Sequence, residues 1–364
     1  MTLQNRQWYL HSRPEAVPTE DNLRPRSVPL KRPGPGQVLM QNLYLSMDPG
    51  ARFWMSDKPG YMDPIPIGGT MRGSTLGRIV ESNHPKFSVG DYAVGIACNG
   101  WEDFSLIDPE QNYVVSADEG FPVNYHLSVF SAVGLTPYFG LLEIGKPKPG
   151  ETLLVSIAAG AVGSLAGQIG KIKGCHTVGI AGSDEKCRWI VEELGFDAAI
   201  NYKTCGDMQK AIAEACPNGV DIYFDNVTGN ILDAALLNMN NFGRIVFCGA
   251  IAQYNTDEPV PGPFNYWQIL ARSLTVRGYI ALEFQDRFPE AVAEMRGWLD
   301  AGRLQFAEEI AEGFENTVAT FARLFDGSNK GKLMVKLRDI SEPAPTLDEI
   351  RAAAEPADTE EARA

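Results

Sequence analysis

The stretch best suited to chemistry is Leu153-Leu154-Val155-Ser156-Ile157-Ala158-Ala159-Gly160-Ala161-Val162-Gly163-Ser164. It reads as an apolar strand, a turn of small residues and the start of a helix. The pattern is A-x-G-x-x-G, with Ala158 in place of a first glycine. Small residues serve a steric purpose in such a turn. Gly160 lets the backbone approach a pyrophosphate, and Gly163 lets helix and strand pack closely. The helix N-terminus offers unpaired N–H groups and a partial positive charge to the anion. A tight strand-to-helix turn without a ligand would use the same residues, so the surrounding chain has to decide.

The deciding position lies about 20 residues further on, at the end of the next strand, where a carboxylate would bind the ribose 2′-hydroxyl of NAD. Here the chain reads Ala181-Gly182-Ser183-Asp184-Glu185-Lys186-Cys187-Arg188. The strand ends in Gly182-Ser183, with no acid. Asp184 and Glu185 fall in the first helical turn, where they favour the helix dipole. Lys186 comes within reach of a 2′-phosphate, with Arg188 as a second cation. This favours NADPH over NADH. The alternative reading of Lys186 is a solvated helix residue.

These residues need a scaffold, and the rhythm of the chain supplies one. Before residue 130 the chain is rich in Pro and Gly, and short apolar runs recur at 37–45, 76–81, 91–97 and 112–115. Turn residues separate them, which predicts a mainly β domain. Beyond residue 130, strand-like runs at 152–157, 177–181, 198–201, 221–224 and 244–248 alternate with helical stretches, among them 161–173 and 184–194. That alternation predicts βαβ units on a doubly wound parallel sheet. A helix is expected over 290–301, and a strand over 333–337 that returns to the first domain. Residues 341–364 carry seven acids against two bases and little to bury. They are expected to form a disordered acidic tail.

Composition narrows the function. The chain has 364 residues and a formal net charge of −14, which argues against a broad nucleic-acid surface. No apolar run approaches the roughly 18–20 residues of a membrane span. The opening residues Met1-Thr2-Leu3-Gln4-Asn5-Arg6 lack an apolar signal core. A cytoplasmic protein without nucleic-acid or membrane partners is expected. Six cysteines without a C-x-x-C pair read as reduced thiols. Four scattered histidines, with no H-E-x-x-H, make a zinc site improbable and leave no metal in the expected site.

Several separated segments then resemble one family. They are Asn42-Leu43-Tyr44-Leu45-Ser46-Met47-Asp48-Pro49, Gly68-Gly69-Thr70-Met71-Arg72-Gly73, Gly134-Leu135-Thr136-Pro137-Tyr138, the glycine turn, Gly182-Ser183-Asp184-Glu185-Lys186, Phe224-Asp225-Asn226-Val227-Thr228-Gly229 and Gly327-Ser328-Asn329-Lys330-Gly331-Lys332. Together they resemble the zinc-independent medium-chain dehydrogenase/reductases. The similar branch is that of leukotriene B4 dehydrogenase/prostaglandin reductase, alkenal double-bond reductase and bacterial curcumin reductase. The resemblance implies an α/β protein in which a GroES-like β-rich domain (1–130 and 298–340) surrounds an inserted Rossmann domain (131–297), with cofactor and substrate meeting in the cleft between them. It implies NADPH held by Gly160, Ala161, Val162 and Gly163 at the pyrophosphate and by Lys186 and Tyr202 at the 2′-phosphate. Asn226 would lie beside the fourth strand. Cys248, Gly249, Ala250 and Ile251 would wrap the nicotinamide half together with Tyr254. Tyr279, Ile280 and Ala281 would line the carboxamide side, and Asn329 would reach back from the C-terminal segment. The zinc enzymes' glycine-histidine-glutamate stretch corresponds to Gly68-Gly69-Thr70-Met71-Arg72-Gly73, which has neither donor. A homodimer through the Rossmann sheet edge is implied as well.

The expected reaction is zinc-independent reduction of the C=C bond of an α,β-unsaturated ketone or aldehyde. Hydride goes to the β-carbon, charge moves onto the carbonyl oxygen, and the protein must stabilise the enolate and supply a proton. Tyr254 is the first candidate donor and Tyr61 the second. Tyr44, Arg52, Tyr61 and Tyr266 are candidate substrate contacts in a site for a small hydrophobic enone or enal. Each tyrosine could equally be packing. An NADPH quinone reductase and a non-catalytic NADPH-binding sensor are the competing readings.

Overall fold

In a computed structural model of the chain, residues 3–58, 60, 62–117, 120–256 and 262–355 are described. They divide into two compact units. One takes the described residues within 132–309 and 327–332, and the other those within 3–131, 310–326 and 333–355.

The first unit is built on six strands: β1 (Thr152–Val155), β2 (His176–Ala181), β3 (Ala198–Asn201), β4 (Val220–Asp225), β5 (Met239–Phe247) and β6 (Thr275–Gly278). All pairings between them are parallel, and the spatial order is β3-β2-β1-β4-β5-β6. This is the doubly wound order whose strand ends carry dinucleotide sites. Helices Ala161–Ile172, Asp184–Glu192, Met208–Ala215 and Gly229–Asn238 follow β1 to β4 in turn. Burial follows position in the sheet. Central β1 (TLLV) is buried at every residue, whereas all four residues of edge strand β6 are exposed. Leu154, Val178, Ile180, Tyr223 and Ile245 share one core with Ile212, Ala235 and Leu236 from the helices. Each such fully buried aliphatic side chain contributes about 1.5–3 kcal/mol.

The second unit holds a seven-stranded sheet. Its strands run in the order Glu308–Glu312, Lys332–Lys336, Val38–Ser46, Arg72–Ser82, Tyr92–Gly100 and Asn112–Val115, with Phe104–Ile107 also paired to Val38–Ser46. Trp8, Trp54, Trp101, Phe314 and Phe321 form the centre of its largest described core.

Two boundaries differ from the expected ones. Residues 298–309 stay with the parallel sheet. Trp298, on helix Phe288–Asp300, packs 6.0 Å from the Tyr138 ring, and the Gln168 amide donates to the Gln305 carbonyl at 2.9 Å. The short segment 327–332 also belongs there, as a strap described below.

The tail departs from the expectation of disorder over 341–355. Thr346 and Glu349 cap a helix over Leu347–Ala353, and Ile350 is fully buried beside Leu30, Leu39, Val80 and Phe104. Ala354–Glu355 then pairs with strand Leu23–Lys31. One well-placed apolar residue and a reciprocal cap outweigh the acidic composition. Residues 356–364 lie outside the described residues.

Candidate cofactor site

The site is assembled at the C-terminal ends of β1, β2, β4 and β5. Gly160 is the N-cap of helix Ala161–Ile172, and no side chain caps it. The first-turn N–H groups of Ala161, Val162 and Gly163 are thus left to a ligand. Ile157, at φ +51°, turns the chain out of β1. Glycine is required at 163 because a Cβ there would run into the Ile157 carbonyl. Ala158, fully buried, donates to the Ile180 carbonyl at 2.9 Å and ties the turn to β2.

The strap 327–332 closes this turn from the other side. Gly331 donates to the Ala159 carbonyl at 2.9 Å and forms a bridge with Gly160. Asn329 is nearly buried, its amide on the Gly331 carbonyl at 3.2 Å. Lys186 places its ammonium 2.7 Å from the Gly327 carbonyl, so strap and β2 end share one cation.

Around Lys186, Ser183 and Tyr202 are brought close to the end of β2. Ser183 caps helix Asp184–Glu192 through the Lys186 N–H. The Tyr202 ring lies over Gly182, where a Cβ would be 3.0 Å from it. Both nearby acids are engaged: Asp184 accepts from the Asn201 amide at 2.6 Å, and Glu185 pairs with Lys330 at 3.3 Å.

A second turn, after β4, carries Asn226. Its amide donates to the Ser156 carbonyl at 2.7 Å and its backbone N–H to the Ser156 hydroxyl at 2.8 Å. The loop after β5 hangs on this turn. Cys248 and Gly249 donate to the Asp225 carbonyl, Ile251 to that of Asn226 and Ala252 to that of Val227. The Tyr254 hydroxyl accepts from the Ala250 N–H at 3.4 Å and stands above Gly249. Asn226, Gly249, Ala250, Ile251 and Tyr254 are thus brought together as expected.

Tyr279 and Cys248 form a half-buried pair at that loop. Burial pushes the Cys248 thiol up to about 12, and it holds Tyr279 well above the usual phenol range. The Tyr279 hydroxyl donates to the Thr136 carbonyl at 2.7 Å, so its polar end is committed inward. Ile280 and Ala281 follow it into the turn Ala281–Arg287, Ile280 partly exposed and Ala281 buried.

The candidate substrate residues fare differently. Tyr44 is packed with Leu43, Leu76, Val94 and Leu127 in a core of the β-rich unit. Arg52 is almost fully buried and donates to the Pro14 and Ala16 carbonyls, which makes it a tether for that loop. Tyr266 is two-thirds exposed and lines an apolar hollow of about 440 Å³ with Trp267, Ile269, Leu270 and Ser273, none of which belongs to the glycine turn. Tyr61 lies outside the described residues.

Ser156, Asp225 and the Gly331–Ala159 bond were not among the residues singled out in the sequence. A polar residue closing an otherwise apolar strand was the available signal for Ser156 and Asp225.

No group of three or more His, Cys, Asp or Glu able to hold a metal occurs among the described residues. In the stretch matching the zinc ligands, Met71 is core and Arg72 donates to the Asp63 carbonyl at 2.7 Å over the Trp54 ring. These residues do not fit a zinc site. No helix among the described residues is long and apolar enough to cross a membrane.

A parallel sheet in this order, a glycine turn at its switch point and a β-rich partner unit define a dinucleotide-binding oxidoreductase architecture. Known proteins agree. The family profile for the N-terminal domain of oxidoreductase matches residues 6–115, and that for zinc-binding dehydrogenase matches 161–297. The chain is 41% identical to the NADPH-dependent curcumin reductase of Escherichia coli (strain K12), over 92% of this chain and 97% of that one. It is 36% identical to the 2-alkenal reductase (NADP(+)-dependent) of Nicotiana tabacum, over 91% and 97%. The crystal structure of CurA in complex with NADPH from Vibrio vulnificus superposes with a TM-score of 0.86 at 38% identity, covering 92% of this chain and 99% of that one. The chain belongs to the medium-chain dehydrogenase/reductase family of oxidoreductases.

Proposed function

We propose that this protein is an NADPH-dependent reductase of the C=C bond in small, apolar α,β-unsaturated ketones and aldehydes. The observation that carries the reading is the convergence of the uncapped Gly160 turn, Lys186 with Tyr202, and the Tyr254 loop at the C-terminal ends of the parallel strands. The named activities of the curcumin and 2-alkenal reductases support the same chemistry. When bound, NADPH supplies the hydride.

The chain's own residues do the rest. The N–H groups of 161–163 bind the pyrophosphate, and Lys186 with Tyr202 selects the 2′-phosphate. Asn226 and the 248–251 loop orient the nicotinamide half. Tyr254 offers its hydroxyl to the developing enolate oxygen, directly or through the ribose. The inward bond of Tyr279 leaves it a wall residue. Tyr61 is retained as the second donor candidate.

The protein also forms a homodimer through the edge of β6. Among the described residues that strand bonds only β5, and Phe264, Tyr266, Trp267, Leu270 and Val276 leave an apolar surface beside it. Sedimentation should give twice the 39.8 kDa chain mass, and Val276→Lys should give monomers. A monomeric parent would refute the dimer.

The activity is tested by NADPH oxidation at 340 nm against a medium-chain 2-alkenal, an aryl enone, a quinone and a saturated ketone, with NADH as control. Enone turnover without saturated-ketone turnover is expected. Quinone-only turnover would move the protein to the quinone reductases, and binding of NADPH without turnover to a sensor role.

A further inference from the structure

The buried carboxyl at the end of β4 has no part in the reading above, yet the cradle is built on it. Asp225 is fully buried. Its Oδ1 accepts three hydrogen bonds at 2.9 Å, from the N–H groups of Val227 and Thr228 and from the Tyr223 hydroxyl. The Ser156 hydroxyl reaches the same oxygen at 3.5 Å. Oδ2 has no hydrogen-bond partner among the described residues.

The turn held this way is one that L side chains rarely adopt. Thr228 sits at φ +68° and ψ −151°. Two of the bonds to Oδ1 come from the peptide N–H groups leading into it, so the carboxyl holds the strained residue in place. What hangs on that turn is the site. Asn226 is fixed to Ser156 at both its backbone and side-chain nitrogens, and Ser156 immediately precedes Ile157, which also has a positive φ, +51°. The Asp225 and Asn226 carbonyls anchor the loop that presents Tyr254.

We propose that Asp225 is a positioning residue for the cofactor, whose single oxygen Oδ1 holds the 226–228 turn in its strained form and thereby sets the glycine turn and the Tyr254 loop in register. The inference rests on the reading of Gly160–Gly163 and Asn226 as cofactor contacts. Burial also raises the carboxyl above its ordinary range, against the lowering effect of the hydrogen bonds it accepts.

The test measures NADPH dissociation constants by fluorescence on full-length variants that melt cooperatively. Asp225→Asn keeps Oδ1 and should bind within about threefold of the parent. Asp225→Ala should weaken NADPH by about tenfold or more. Thr228→Gly removes the strain, so adding it to Asp225→Ala should restore most of the affinity. A merely structural role in the core would not respond to Thr228→Gly. Parent-like binding by Asp225→Ala, or no recovery in the double variant, would overturn the proposal. If Asp225→Ala does not fold, Ser156→Ala carries the test. It removes the hydroxyl that accepts from the Asn226 N–H and reaches Oδ1, leaving the Asn226 amide on the backbone carbonyl at 156, and should weaken NADPH by about threefold to tenfold; parent-like binding would overturn the proposal. Gly163→Val separates the two layers. Retained affinity there would sink the cradle reading itself, whereas lost affinity there with parent-like Asp225→Ala would sink only the role of Asp225.

Discussion

Gly331 donates its N–H to the carbonyl of Ala159 at 2.9 Å, so a residue near the end of the chain braces the turn at the first strand of the parallel sheet. The glycine is required on two counts. Its φ is +63°, and a Cβ would collide with the Ala307 carbonyl. Gly331→Ala should therefore cost about 1–3 kcal/mol of stability by thermal or denaturant unfolding. It should also raise the KM for NADPH, because the brace and the pyrophosphate turn move together. An unchanged KM in a destabilised variant would separate the two roles.

Lys186 is poised between the strap and the expected 2′-phosphate. Replacing it by alanine removes one charge-assisted contact, so the KM for NADPH should rise about tenfold, or about 1.4 kcal/mol. NADH carries no phosphate there, and its KM should stay put. Steady-state kinetics with both nucleotides decide the matter, and equal effects would remove Lys186 from the phosphate pocket.

Tyr254→Phe keeps the ring over Gly249 and deletes only the hydroxyl. With a good enone, kcat should fall about a hundredfold while NADPH affinity is nearly kept. Turnover equal to that of the parent would dismiss Tyr254 as the donor and turn attention to Tyr61.

A protein that handles Michael acceptors has to keep its own thiols unreactive. Cys175 and Cys216 are buried, with their thiols pushed up to about 11 and about 12 by burial, and that of Cys248 stands at about 12. At pH 7 to 8 these three sit below their pKa and stay protonated, and reactivity grows only as pH rises towards 11. Brief treatment with iodoacetamide followed by peptide mass mapping should leave 175, 216 and 248 unmodified in the native protein and label them after unfolding. Native labelling at Cys248 would mean that the Tyr279 loop opens.

The periodicity made the parallel sheet, the glycine turn and the cation at Lys186 legible, because each obeys a local rule of spacing or sterics. Asp225 was not legible as a holder of the site. Its role depends on a φ of +68° three residues on, and a threonine gives no hint of that. Arg52 misled because an arginine near a loop rich in aromatics looks available, whereas two distant carbonyls consume its guanidinium. Tyr266 misled because an aromatic cluster reads as a pocket wall until the edge strand beside it is seen. The tail misled because composition averages over residues, and Ile350, with Ala344 packed against the same cluster, finds a core.

The strap has one more consequence, in the order of synthesis. All six strands of the parallel sheet have been made by residue 278, but the brace on Ala159 arrives only with residue 331. A nascent chain truncated before that point can build the sheet and its helices and still lack one side of the nucleotide turn. The turn at Ala159 is thus braced only by a segment made more than fifty residues after the last strand of its sheet.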